Sequence, residues 1–113
     1  MASKKILLVE GRDDEIVIKT LCGIRNIQEN FKIEAKGGID PLLESFPGHL
    51  KESEIECLGI IVDADTDLDA RWDAFRACLI KAKYLGIPDK PESRGTILQA
   101  PMDSLSPRVG IWI

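Results

Sequence analysis

Two short runs of the chain are almost wholly apolar, and each stops at an acid. Lys5 to Val9 reads KILLV and is followed by Glu10; Cys57 to Val62 reads CLGIIV and is followed by Asp63. A strand with one wet face alternates apolar and polar residues, whereas a continuous apolar run of this length belongs to a parallel strand covered on both faces. Such strands need crossover connections long enough to hold a helix. The two runs therefore select an α/β fold before any other residue is considered.

The intervening segments supply the helices. After Glu10, Gly11-Arg12-Asp13-Asp14 breaks the first strand, and Asp13 or Asp14 can cap a helix whose expected apolar face is Ile16, Val17, Leu21 and Ile24. Phe31 to Ala35 reads as a second strand ended by Gly37-Gly38, and Asp40-Pro41 opens a short helix through Leu42, Leu43 and Phe46 that Pro47-Gly48 should stop. His49, beside that pair, is expected in a turn. Leu68, Trp72, Phe75, Leu79 and Ala82 mark an amphipathic helix closed by Gly86 and Pro88, with Trp72 and Phe75 in the core. Thr96 to Gln99 and Val109 to Ile113 complete the set as two short strands, Trp112 being strand filling. The expected architecture is a three-layer, Rossmann-like, mostly parallel sheet with helices on both faces and strand order 2-1-3-4.

The chain's 113 residues, 44% of them hydrophobic, suffice for one domain and one core. Its apolar ending, Val-Gly-Ile-Trp-Ile, is expected either of a last strand buried as it stands or, the favoured reading, of a C-terminally truncated fragment. No apolar run reaches membrane-spanning length and no signal peptide opens the chain, so a soluble, cytoplasmic protein without membrane attachment is expected. Cys22, Cys57 and Cys78 are odd in number and set among apolar neighbours, which favours buried thiols over a disulfide framework. With a single histidine, His49, hydrolytic triads have little to build on.

Net charge is −4, which argues against a protein that grips nucleic acid through a broad basic face alone. Much of the negative charge is packed into Asp63, Asp65, Asp67, Asp69 and Asp73. In an open α/β sheet, ligands bind outside the carboxyl ends of the strands where strand order reverses, and Glu10 and Asp63 each end a strand there. Asp63 and Asp65, two residues apart on an extended strand end, point the same way. Carboxylates about 4 Å apart repel by roughly 4 kcal/mol at an effective dielectric near 20, so the cluster calls for a cation. Mg²⁺ suits hard oxygen ligands of this kind, with Mn²⁺ as the expected substitute. Glu10 is then placed to move a proton.

The run VEGRDD, with Glu10, Gly11 and Asp14 as E-G-x-x-D, and the run IIVDAD, with Asp63 and Asp65 as D-x-D, resemble the two motifs of the Toprim domain of topoisomerases, bacterial primases and OLD-type nucleases. The resemblance spans about Lys5 to Leu85, and the chain is similar to small stand-alone Toprim-like proteins. It implies Glu10 as general acid or base, Asp63 and Asp65 as Mg²⁺ ligands, and support from Gly11, Asp14 and Asp67. It implies a nuclease or nicking protein acting on DNA or RNA phosphodiesters, with a second copy, a further domain or another subunit as partner. The alternative is a non-catalytic nucleic-acid-binding or assembly module. Two features depart from the family: no glycine closely follows the D-x-D, and the chain carries neither a tyrosine nucleophile nor a DNA-gripping domain.

Other readings of the acidic stretch fare worse. A calcium loop would need Gly where Leu68 stands and Glu where Ala74 stands. The haloacid dehalogenase motif D-x-D-x-T would need Thr or Val where Asp67 stands. Asp67 and Asp69 are expected to cap and charge the following helix. Arg12 and Lys36 are candidates for reaching a substrate phosphate, with ordinary solvated charge as the alternative.

Overall fold

In the computed structural model, residues 4–25, 31–52, 54–63, 67–101 and 106–113 are described. The elements run β1 (Lys4–Val9), α1 (Arg12–Ile24), β2 (Lys32–Ala35), α2 (Ile39–Leu50), β3 (Ile55–Ile61), α3 (Leu68–Lys81), β4 (Thr96–Leu98) and β5 (Arg108–Trp112). The strands form one sheet in the order β2-β1-β3-β5-β4. The first four are mutually parallel, and only the three-residue β4 runs antiparallel, against β5. This is the expected α/β three-layer architecture with a mostly parallel sheet. The first three strands take the expected order; the fourth does not. β5, not β4, lies beside β3, because the chain first passes to the sheet edge and returns as an antiparallel pair.

The registers stack the apolar rows. Leu8, Ile60 and Ile111 are neighbours across β1, β3 and β5, as are Ile6, Leu58 and Val109. All six are buried. They face α2 and α3, which contribute Leu42, Phe46 and Leu50, and Trp72, Phe75 and Leu79. Phe46 and Phe75 meet edge to face at 5.3 Å between ring centres, the favoured geometry for two aromatic quadrupoles. Polar tips inside this layer are paired: Trp72 Nε1 donates to the Pro88 carbonyl, and the Tyr84 hydroxyl donates to the Pro107 carbonyl.

Three local expectations are corrected. α2 does not stop at Pro47-Gly48 but continues to Leu50, which carries His49 onto the helix's last turn. Pro47 removes the amide that would bond the Leu43 carbonyl, yet Phe46 and Leu50 are buried on either side and hold the turn in place. Cys22 alone of the three cysteines is buried; Cys57 and Cys78 are partly exposed. The third correction concerns α1, which packs on the opposite sheet face, over β1 and β2. Ile16, Val17, Leu21 and Ile24, the face expected in the core, are 50–72% exposed. Cys22 is the buried residue of this helix, with Ile18 half-buried one turn earlier. The apolar arc of α1 is wider than its contact with the sheet, and the sequence pattern does not say which part of the arc is used. Among the described residues, no helix is long and apolar enough to cross a membrane.

Candidate active site at the carboxyl ends of two strands

Glu10 follows Val9, the last residue of β1, and Asp63 lies two residues beyond Ile61, the last of β3. Val9 and Ile61 are register partners, so the two acids leave adjacent strands at the same end of the sheet. They are joined directly: the Asp63 amide donates to Glu10 Oε1 at 2.9 Å. One carboxylate oxygen of Glu10 is thereby held across the β1–β3 boundary. Among the described residues, no donor is placed on the Asp63 carboxylate, and the Asp63 contact with Glu10 is exposed.

The backbone around Glu10 is tied down on its other side by β2. The amides of Gly37 and Gly38 both donate to the Glu10 carbonyl at 2.7 Å, and the Lys36 amide donates to the Val9 carbonyl at 3.0 Å. Gly37 and Gly38 have φ of +86° and +133°, conformations that a side chain would strain. This pair lets the strand end curl over Glu10 and enter α2 directly. The Gly11 amide donates to Asp14 Oδ2 at 3.0 Å, which closes the turn and caps α1. Glu10, Gly11, Arg12, Asp13, Asp14, Gly37 and Gly38 line an open crevice of about 510 Å³ above the strand ends.

The remaining candidates divide. Asp67 accepts a hydrogen bond from the Ala70 amide as the N-cap of α3, so capping occupies its carboxylate. Asp69, in the first turn of α3, pairs with Lys90 at 2.8 Å, and the pair lifts the Lys90 ammonium above the usual lysine range. Arg12 lines the crevice, but Lys36 does not: its ammonium lies 3.0 Å from Glu34. Burial tends to raise the Glu34 carboxyl, but hydrogen bonds and charge from Lys36 and Lys32 outweigh it and set the carboxyl below the usual glutamate value. Asp65 lies outside the described residues. Among the described residues, no cluster of three or more His, Cys, Asp or Glu forms a metal site; Glu10 and Asp63 stand as a pair.

A family described as a protein of unknown function, DUF3226, matches residues 4–113. The chain belongs to DUF3226. Comparisons with curated proteins and with solved structures give no match. The DUF3226 match covers every element from β1 to β5, so the crevice belongs wholly to the family's domain. Sequence reasoning singled out Glu10, Asp63, Gly11, Asp14 and Arg12 as candidates but assigned no site role to Gly37 and Gly38. The signal available was a glycine pair at the carboxyl end of a strand in an α/β fold, where close backbone approach is expected.

Proposed function

We propose that the chain is a Mg²⁺-dependent, Toprim-type protein that cuts or nicks nucleic-acid phosphodiester bonds at the carboxyl ends of β1 and β3. The observation that carries this reading is the hydrogen bond from the Asp63 amide to Glu10 Oε1. It ties the acid of one motif to the backbone of the other motif's first aspartate, at the strand ends where α/β ligand sites form.

The donor chemistry fits the ion. Glu10 and Asp63 offer hard carboxylate oxygens, and Mg²⁺ is usually held by one or two protein carboxylates together with water and phosphate oxygens. When bound, the ion supplies neutralisation of the phosphoryl charge and orientation of the attacking and leaving oxygens. Asp63 is the ligand on this reading, with Asp65 as its partner two residues on, and Mn²⁺ serves as a substitute ion. Glu10 has one oxygen fixed by the Asp63 amide, which leaves the other to accept or return a proton at the reacting oxygen. Arg12, at the crevice wall, provides the cation for a DNA or RNA phosphate.

A second reading has its own support. The same hydrogen bond gives Glu10 a structural task, and Lys36 is engaged by Glu34, features that suit a nucleic-acid-binding or assembly module without turnover.

Calorimetric titration of Mg²⁺ and Mn²⁺ separates the two. Saturable binding to the wild type that disappears in Asp63→Asn is expected, with metal-dependent cleavage falling about 10²–10⁴-fold in Glu10→Gln, the range for loss of a general acid or base. Equal heats in wild type and Asp63→Asn, or none in either, would overturn the catalytic reading and leave the binding module.

A further inference from the structure

Among the described residues, helices cover only half of the sheet face opposite α2 and α3. α1 lies over β1 and β2, while β3, β5 and β4 turn Cys57, Gly59, Ile61, Arg108, Gly110, Trp112 and Ile97 to a side that no described helix covers. The Trp112 indole lies along this surface. A Cβ at Gly110 would stand 2.7 Å from its ring, one at Gly95 would strike Trp112 Nε1, and one at Gly59 would be 3.7 Å away. Trp112 Nε1 donates to the Arg94 carbonyl, which fixes the ring flat, and the residue remains 39% exposed. The result is an apolar shelf three strands wide, with Ile61 and Ile97 at its sides. At about 4.8 Å between strands it spans about 10 Å, the diameter of one helix.

Beside the shelf stands a ridge. At 100° per residue, Cys22 and Ile18 point α1 at its own sheet, and Val17, Leu21 and Ile24 fall together on one flank. β1 and β2 are adjacent and parallel, and the right-handed crossover such units adopt turns that flank toward β3. Ridge and shelf are therefore contiguous. Exposed apolar side chains in contiguous patches mark interaction surfaces.

We propose that this face is the interface of a two-fold symmetric homodimer, in which α1 of each copy lies on the β3-β5-β4 shelf of the other. A two-fold contact requires one surface to be complementary to itself, and a ridge of helix width beside a bare shelf of the same width meets that condition. The area agrees. Val17, Leu21, Ile24, Ile61, Ile97 and Trp112 are 37–72% exposed and offer on the order of 500 Å² of apolar surface, against about 800 Å² per partner, polar area included, in a stable interface. Trp112, flat and rigid at the shelf's centre, is the kind of side chain on which binding energy concentrates. Dimerisation also accounts for the composition of α1, whose apolar arc exceeds what one sheet can bury.

Sedimentation velocity of the wild-type chain over a wide concentration range, with Leu21→Glu, Ile24→Glu and Leu85→Glu alongside, tests the assignment. Leu85 is 80% exposed after the end of α3, away from this face, so its variant serves as the control. The expected result is twice the chain mass for wild type and Leu85→Glu, and a monomer with unchanged circular dichroism for the two α1 variants. Hydrogen exchange on the wild type gives a reading that depends on no variant: amides of α1 and β5 should gain protection as concentration rises. A wild type that stays monomeric up to about 1 mM, or a dimer indifferent to Leu21→Glu and Ile24→Glu, overturns the proposal and hands the face to a different occupant.

Discussion

Glu34 shows how a single side chain records its neighbours. It sits on β2 between Lys32 and Lys36, with His49 Nε2 3.8 Å away. Because its folded carboxyl is held below the unfolded value, it stabilises the protein above the ordinary glutamate range, and that contribution is lost as pH falls from about 4.5 through the folded value. Glu34→Gln should flatten the acid side of the stability profile while leaving the neutral plateau lower by no more than about 1 kcal/mol, since the group is partly solvated; urea melts from pH 3 to 7 would show it. Tyr84 makes the mirror case. Burial, partly offset by Ser106, pushes its phenol up to about 12, so the neutral form is favoured on folding. Stability from this group is complete below about pH 10 and is lost as pH rises from there through about 12. Tyr84→Phe should remove that alkaline loss and cost about 1 kcal/mol at neutral pH for the bond to the Pro107 carbonyl, as read by thermal melts across pH 7 to 12.

Among the elements, α3 and α1 make an instructive pair. Trp72, Phe75 and Leu79 repeat at helical spacing and are all fully buried, as expected from the sequence. Leu79→Ala should therefore cost about 2–5 kcal/mol in a urea melt, the range for a cavity left in a packed core. On α1 the same kind of spacing picked out the wrong flank. Periodicity reports that a helix has an apolar side, not how much of that side its own sheet can reach, and β1 and β2 reach only the arc around Cys22. Pro47 is a similar case: local chemistry argues for a stop, and burial of Phe46 and Leu50 overrides it. The strand ends were more legible. Glu10 and Asp63 stood out because continuous apolar runs have abrupt ends, and abrupt ends of parallel strands are where sites collect. The hydrogen bond between them needed the register of β1 on β3, which depends on pairings across about half the chain and leaves no local trace. The last two strands show the same limit: spacing announced both, but not that β4 would reverse and take the edge.

For the molecule as a whole, the strand order explains where disturbance is tolerated. β1 and β3 sit between other strands and should show the slowest amide exchange. The two outer strands are another matter. β2 has four residues and carries Lys32 and Glu34, while β4 has three, opens after the positive-φ Gly95 and ends two residues before Ala100-Pro101. Brevity and charge are the usual defences of an unpaired strand border. Neither flank offers a long, flat row of free amides and carbonyls onto which a foreign strand could zip. Growth into fibres by adding strands sideways is thereby discouraged, and a chain that presents this much apolar surface on one face remains able to meet other molecules face to face without polymerising.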